Sequence, residues 1–316
     1  MFSQGLQNWL RASSATAALD LDLWATLSAQ LDRHFASSPG PRSLTTNVLR
    51  PPHVPAEEAV SSEERSGDAG MVRTVMNDPQ QTIYYTYRLT RLDGSWLIDT
   101  LSESYDPPHT PILSRDEVAQ LLAGVGPDTP LPELPGDAGD LDALFAGADE
   151  VVELGALTTS GFLTVHDLGW VRWDVAPLTR SVPPGTYPVA VARSSDGVNR
   201  ALRLRLASSQ PVEWRPAERV DTGDVVSVDA GNVAILDFTA LASRDAEEAE
   251  GILERMTPSI LNGPGAVFSL DDGAPDAVVV ESGIGDGGYP IYWGLAADGS
   301  LTDLVVDFLT ASEQPT

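Results

Sequence analysis

The chain has 316 residues, of which 42% are hydrophobic, enough for two domains with ordinary cores. Its 46 Asp and Glu outweigh 19 cations, all of them Arg, for a net charge of −27, and it contains neither Lys nor Cys. This composition excludes a P-loop lysine, a lysine Schiff base, a thiol nucleophile, a disulfide and a thiolate metal site. The negative charge argues against nucleic acid and anionic membranes, and it favours a basic partner or simple solubility.

The distribution of apolar and basic residues predicts neither a membrane protein nor a secreted protein. No window of about 18 consecutive apolar residues exists, so no transmembrane span is predicted. The start, residues 1–6, lacks the basic and apolar regions of a signal peptide. We therefore expect a cytoplasmic protein.

The first part of the chain, residues 1–110, predicts helices followed by a sheet. Apolar residues recur with helical spacing over 5–36, and residues 43–104 indicate strands. The clearest pair is a hairpin that turns at Asp93-Gly94, because Asp-Gly between two β-rich runs is a strong hairpin signal.

Residues 111–147 predict a short helix and a linker. Ser114 and Glu117 have the spacing of a capping box, which predicts a helix over 114–124. The Pro, Gly and Asp residues of 125–140 are typical of a linker.

Residues 148–316 predict a mainly β domain. Short β-rich runs punctuated by Gly and Pro follow one another, with one helix over 243–256 and a final hairpin that pairs 289–295 with 304–308. The predicted fold class is therefore α+β. It consists of N-terminal helices packed on a curved antiparallel sheet, followed by a mainly antiparallel β domain with one helix.

No motif predicts a catalytic, cofactor or metal site. Residues 283–288 match the dinucleotide-binding pattern G-x-G-x-x-G, but a strand pattern follows where that site needs a helix. The four histidines have no second ligand at metal-binding spacing: His34, His53, His109 and His166. The acidic segments 137–142 and 271–273 do not fit a calcium loop. We expect neither cofactor nor metal.

Two groups of aromatic residues are candidates for function, although core packing explains such residues equally well. In the last part of the chain, the candidate partner or ligand surface consists of Asp286, Tyr289, Tyr292 and Trp293. In the first part, Tyr85 and Asp99 are candidates for a cavity, because both belong to the predicted hairpin. Alternation places Tyr85 and Tyr87 on one face of the sheet and Tyr84 on the other.

The N-terminal helices and the hairpin segment 84–99 resemble the nuclear-transport-factor-2-like, cystatin-like fold, especially its bacterial immunity-protein branch. The resemblance covers roughly residues 1–110. It implies helices on a curved sheet with a cone-shaped cavity. Many unrelated functions share this fold.

The last domain resembles the bacterial domain of unknown function 4241. The motifs that carry the resemblance are 184–189, 228–231, 282–295 and 305–308. The resemblance covers roughly 148–310 and carries no assigned activity. It implies an association with toxin–immunity gene neighbourhoods.

These observations leave three hypotheses. The first is a non-catalytic binding protein of the immunity or antitoxin type that recognises a basic protein such as a toxin. The second is a small-molecule or peptide-binding module with segment 283–293 at the mouth of its pocket. The third is an isomerase-like or cyclase-like enzyme that uses Tyr85 and Asp99 in the N-terminal cavity.

The charge is unevenly distributed along the chain. Residues 1–110 hold 8 Arg and 13 acids, a net charge of −5, whereas the remaining residues hold 11 Arg and 33 acids, a net charge of −22. If the acidity serves recognition, the second part of the chain is where we expect it to act.

Overall fold

The structure is a computed structural model, which divides into two compact units, Met1–Thr110 and Pro111–Thr316. It describes residues 58–77, 82–104, 107–133, 141–171, 175–245, 248–249, 251–252, 256–257, 260, 263–270 and 273–309. The helices predicted over 5–36 and the middle of the predicted linker lie outside the described residues.

The described part of the first unit is an antiparallel sheet with strand order β1-β2-β3-β4. Its strands are β1 (Glu58–Ser66), β2 (Ala69–Asn77), β3 (Thr82–Leu92) and β4 (Ser95–Ser104). Asp93 and Gly94 join β3 to β4 with φ of 50° and 81°, the positive values that a two-residue hairpin turn requires. The predicted hairpin is therefore confirmed.

The second unit contains short helices at its described positions. They are α1 (Arg115–Leu122), α2 (Asp142–Ala146) and α3 (Phe238–Ala242), with a 3-10 turn at Leu168–Trp170. Ser114 and Glu117 form the predicted capping box at the start of α1. Val118, Leu121 and Leu122 of α1 pack against the core of the unit. Of the predicted helix over 243–256, residues 243–245 are described and are not helical, whereas the described residues 248–249, 251–252 and 256 are helical.

Eleven strands of the second unit form two antiparallel sheets. The larger sheet has the order β10-β14-β15-β8-β7-β5, with β9 also paired to β14, and the smaller has the order β12-β13-β11-β6. The strands are β5 (Glu150–Thr159), β6 (Leu163–His166), β7 (Gly185–Arg193), β8 (Asn199–Arg205), β9 (Glu213–Pro216), β10 (Val225–Val228), β11 (Asn232–Asp237), β12 (Ala266–Phe268), β13 (Ala277–Glu281), β14 (Gly287–Leu295) and β15 (Leu301–Asp307).

The two sheets pack face to face around the main core. Leu202 and Leu204 of β8 point into this core beside Ile235 of β11, while Arg203 and Arg205 alternate to the outer face of the larger sheet. On the far face of the smaller sheet, α1 and α3 pack around a second core that includes Leu236. The outer face of the larger sheet carries a third cluster under α2.

The predicted α+β class is wrong. The described parts of the chain consist mainly of antiparallel sheets, and the helices α1, α2 and α3 have only five to eight residues. In the second unit, each sheet buries one face against the other sheet, so helices are not needed to close the main core. The predicted packing of N-terminal helices on a sheet is not present in the described residues.

Candidate functional site

The four residues predicted as a partner surface do not lie together on the surface. Tyr289 and Trp293 are fully buried in the core between the two sheets. Tyr289 donates a hydrogen bond to the carbonyl oxygen of Gly285 at 2.7 Å, and its ring meets Phe308 edge-on. Tyr292 points to the opposite face and is half-buried, and Asp286 is exposed in the preceding loop. Alternation along β14 explains the separation, because only every second side chain shares a face.

The glycine-rich segment 283–288 is a tight loop held by its own chain. Gly283 has a φ of 71°, and a Cβ there would lie 2.7 Å from the carbonyl oxygen of Asn199. Ser282 donates its hydroxyl hydrogen bond to Gly285 at 2.7 Å. Gly287 begins β14, so a strand follows the glycines, in agreement with the sequence. The segment lacks the helix that a dinucleotide site requires.

The two cavity residues predicted in the first unit do not meet. Tyr85 is buried in the core of the sheet and lies opposite Glu103 of β4, whereas Asp99 is exposed four residues earlier on that strand. Asp99 stands at a bulge, because Arg88 pairs with Thr100 and Leu89 with Ile98.

Sequence reasoning missed a polar contact on the same sheet. Tyr87 is fully buried and donates a hydrogen bond to Glu58 Oε1 at 2.8 Å, and Thr74 donates to the same oxygen. Burial raises the pKa of Tyr87 well above its usual value, and the nearby charge of Glu58 raises it further. Tyr87 therefore keeps its proton, and the contact ties β3 to the edge strand β1.

Two of the four histidines, His109 and His166, lie in the described ranges. His34 and His53 lie outside the described residues, and His109 is exposed in a turn. His166 is buried, and its Nδ1 donates to the carbonyl oxygen of Asp167 at 2.9 Å. Within the described ranges, no three acidic or histidine side chains are grouped to hold a metal ion.

The buried carboxylate of Asp167 is saturated with hydrogen bonds. It accepts from the backbone amides of Gly169, Asp229 and Ala230 at 2.7 to 2.8 Å, and from Asn232 Nδ2 at 3.0 Å. These bonds join the end of β6 to the loop between β10 and β11. Because four donors hold this buried charge, Asp167 links two distant parts of the chain, and we call such a carboxylate a tie.

Asp237 forms a second tie of the same kind. Its carboxylate caps α3 through the amide of Ala240 and accepts hydrogen bonds from the hydroxyls of Thr159, Ser160 and Thr239. Burial alone would raise the pKa of Asp237, but the hydrogen bonds from Thr239 and Ser160 outweigh burial and lower it. The hydrogen bonds of Asp237 therefore join the end of β5 to the start of α3.

A third group lies on the outer face of the larger sheet. Arg205 Nε lies 3.3 Å from the fully buried Asp303, and Arg203 donates to Asp142 of α2 at 2.9 Å. The Arg203 guanidinium also stacks over the Phe145 ring at 3.9 Å. Burial raises the pKa of Asp303, and the neighbouring Thr302 side chain and the two arginines oppose this rise. Two cations balance two acids here, so the group holds α2 on the sheet.

Among the described residues of the second unit, the exposed charge is almost entirely negative. Among its described arginines only Arg115 is exposed, and the others bond to acceptors of the same chain. The exposed carboxylates are Asp116, Glu117, Asp128, Glu133, Asp149, Glu150, Glu153, Asp196, Glu213, Asp221, Asp229, Glu248, Glu281, Asp286 and Asp298. Exposed carboxylates therefore far outnumber exposed arginines among the described residues of the second unit.

Four of these carboxylates gather at one end of the larger sheet. Asp149, Glu150 and Glu153 lie at and just before the start of β5, and Asp196 lies in the turn between β7 and β8. Asp149 accepts the backbone amide of Ser195 at 2.8 Å, which fixes the turn against β5. Three arginines interact with them: Arg193 lies 3.6 Å from Glu150, and the charges of Arg200 and Arg203 act on Asp196 and Glu153. We call this region the β5 edge.

The fold and these contacts define a mainly antiparallel β protein with an acidic outer surface. Residues 157–306 match the family described as protein of unknown function (DUF4241). The match supports the predicted resemblance of the last domain. It begins inside β5 and ends near the end of β15, so it spans most of both sheets of the second unit.

No curated protein and no solved structure matches the chain significantly. The resemblance of the first part to the nuclear-transport-factor-2-like fold therefore has no support from these comparisons. None of the helices in the described ranges is long and apolar enough to cross a membrane.

Proposed function

We propose that the protein is a non-catalytic binding protein of the immunity or antitoxin type, which recognises a basic protein partner through its second unit. The observation that carries this proposal is the asymmetry of exposed charge. Carboxylates such as Asp286 and Asp298 are exposed, whereas Arg115 is the only exposed arginine among the described residues of the second unit.

This asymmetry is suited to recognition of a cationic surface. An acidic surface attracts a basic partner over distances of about 10 Å at 0.1 M salt, and it raises the association rate. The buried carboxylates Asp167 and Asp237 already have donors within the chain, so they are not free for acid–base chemistry. The antitoxin role is the narrower step, and it follows the toxin–immunity neighbourhoods associated with the resembling family.

The test uses proteins encoded beside the gene. Each neighbour is produced alone, and its dissociation constant for the full chain is measured by calorimetry at low and high salt. A neighbour that arrests growth is then co-expressed with the chain. We expect one basic neighbour to bind at low salt and its toxicity to be relieved. If no neighbour binds at low salt and no growth arrest is relieved, the proposal is wrong.

A matched variant shows whether the acidity acts in binding. Glu150→Gln with Glu153→Gln removes two exposed carboxylates and keeps their shape. Asp116→Asn with Asp221→Asn removes two others that lie neither on β5 nor in the turn between β7 and β8. Equal binding by both variants and the unaltered chain would show that these charges serve solubility alone.

The other two hypotheses gain no specific support. A pocket bordered by Asp286, Tyr289 and Trp293 conflicts with the burial of both aromatic residues in the core. An enzyme that uses Tyr85 and Asp99 conflicts with their separation on the sheet.

A further inference from the structure

We infer that the β5 edge binds an extended basic segment of the partner, which adds to the larger sheet as a further strand. This inference rests on the proposed function and names the kind of segment and the place where it binds. The carrying observation is that β5 ends the strand order of the larger sheet. Among the described strands, β5 pairs with β7 on one side and with none on the other.

The first half of β5 lies at the edge of the larger sheet. The pairing of β5 with β7 shifts register between Glu153 and Gly155, which marks a bulge. Gly155 has a φ of 127°, and a Cβ there would lie 2.9 Å from a methyl group of Val267. Beyond the bulge, Leu157 enters the core, and the backbone amide of Thr158 donates to the carbonyl oxygen of Pro275 at 2.7 Å. Residues 150–154 stay at the rim of the sheet.

The side chains at this rim present both acidic and apolar contacts. Val152 and Leu154 are partly buried against the main core, so Val151 and Glu153 project from the outer face. Val151 is 43% exposed, and Glu150 and Glu153 are exposed. An added strand pairs by backbone hydrogen bonds, while alternate side chains supply specificity. Arginine on the outer face of that strand would meet Glu153, and apolar residues on its inner face would continue the row of Val152 and Leu154.

The negative charge at this edge disfavours pairing of β5 with the β5 strand of a second copy of the chain. Two β5 strands paired together would bring Glu150 and Glu153 of both copies onto one ribbon, with Asp149 and Asp196 close by. Like charges across a strand pair are destabilising. A basic segment reverses the sign of these contacts, so we assign the edge to a cationic partner strand.

The test uses a short peptide of alternating arginine and valine and the full chain. Its control is the same peptide with alternate backbone nitrogens methylated, which keeps the charge and side chains but removes donors for strand pairing. We expect the unmodified peptide to bind and to slow amide hydrogen exchange in residues 150–154. The methylated peptide should bind more weakly and give no protection there. Equal binding by both peptides, or protection that spares 150–154, would overturn strand addition.

Variants then test the contribution of the acids. Glu150→Gln with Glu153→Gln should weaken the peptide about tenfold, since two exposed ion pairs contribute roughly 1.4 kcal/mol together. Asp116→Asn with Asp221→Asn should leave the dissociation constant within about twofold, since exposed pairs elsewhere contribute little. An equal loss in both variants would contradict the assignment to this edge.

The two proposals fail in different ways. If a protein encoded nearby binds but gives no exchange protection in 150–154, the edge inference is wrong and the proposed function stands. If the peptide protects 150–154 but no neighbour binds, the edge inference stands and the proposed function is wrong.

Discussion

At the scale of single residues, the second unit depends on carboxylates buried beneath its surface. Asp167 has no solvent exposure, and four donors of the chain bind its two carboxylate oxygens in place of water. Removing one partner from a buried, hydrogen-bonded charge costs much more than an exposed hydrogen bond contributes, because the remaining groups lose their partners without regaining water.

Asp167→Asn should therefore destabilise the protein strongly. The substitution places an amide nitrogen where at least one donor already points, so a hydrogen bond becomes a repulsive contact. We expect the free energy of unfolding to fall by about 3 kcal/mol, measured by urea denaturation. The control, Asp229→Asn, changes an exposed carboxylate on the same loop and should stay within about 0.5 kcal/mol. Equal losses would show that the Asp167 tie is unimportant.

Asp237 should make stability depend on acid pH. Its folded pKa lies below the usual value of 3.8, so the unfolded chain takes up the proton first as the pH falls. The stabilisation is fully present above the unfolded pKa and is lost as the pH falls through the folded pKa. Asp237→Asn should thus lose stability at neutral pH, and the gap to the unaltered chain should narrow below about pH 4. A gap that is constant from pH 7 to pH 3 in urea titrations would contradict this.

These ties could not be found from the sequence, because their partners lie far apart along the chain. Thr159 is 78 positions from Asp237, and Asn232 is 65 positions from Asp167. A single carboxylate in a loop carries no local signal of such a partner. The prediction that the aromatic residues of β14 form a binding surface was wrong for a different reason. Alternation along β14 places Tyr292 on the face opposite Tyr289 and Trp293, but which face becomes core depends on the opposing sheet.

At the scale of elements, substitutions in the glycine-rich segment 283–288 can show why particular glycines are needed for stability. Gly283 and Gly285 both have positive φ, at 71° and 98°, but only Gly283 faces close neighbours. Gly283→Ala should therefore add a clash with Asn199 and Phe308 to the backbone strain, whereas Gly285→Ala adds strain alone. We expect losses of about 3 and about 1 kcal/mol in the free energy of unfolding by urea denaturation. If both variants lose the same amount, the close approach at Gly283 is not limiting.

Elements with strong local signals were the ones that sequence patterns predicted well. The Asp93-Gly94 turn, the capping box of α1 and the final hairpin of β14 and β15 each depend on a few neighbouring residues. The prediction of the fold class was wrong because the fold class depends on which elements cover each sheet. The pairing of β11 with both β6 and β13, for example, joins strands distant in sequence, and no local pattern predicts it.

At the scale of the whole molecule, the uneven charge predicts how binding should respond to salt. An acidic surface accelerates encounter with a basic protein more than it slows dissociation, and salt screens this long-range attraction. The second part of the chain holds a net −22 and the first only −5, so charges removed from the second unit should matter more.

We therefore expect the association rate with a neighbouring toxin to fall steeply as salt rises, while the dissociation rate changes little, as measured by biolayer interferometry. The triple variant Glu150→Gln, Glu153→Gln, Asp196→Asn should flatten this salt dependence. The matched triple variant Glu63→Gln, Asp68→Asn, Asp93→Asn removes three exposed carboxylates from the first unit and should keep most of it. Because both variants change the net charge equally, a difference in slope reports position. Equal slopes would mean that net charge alone attracts the partner, and the second unit would then have no special part in recognition.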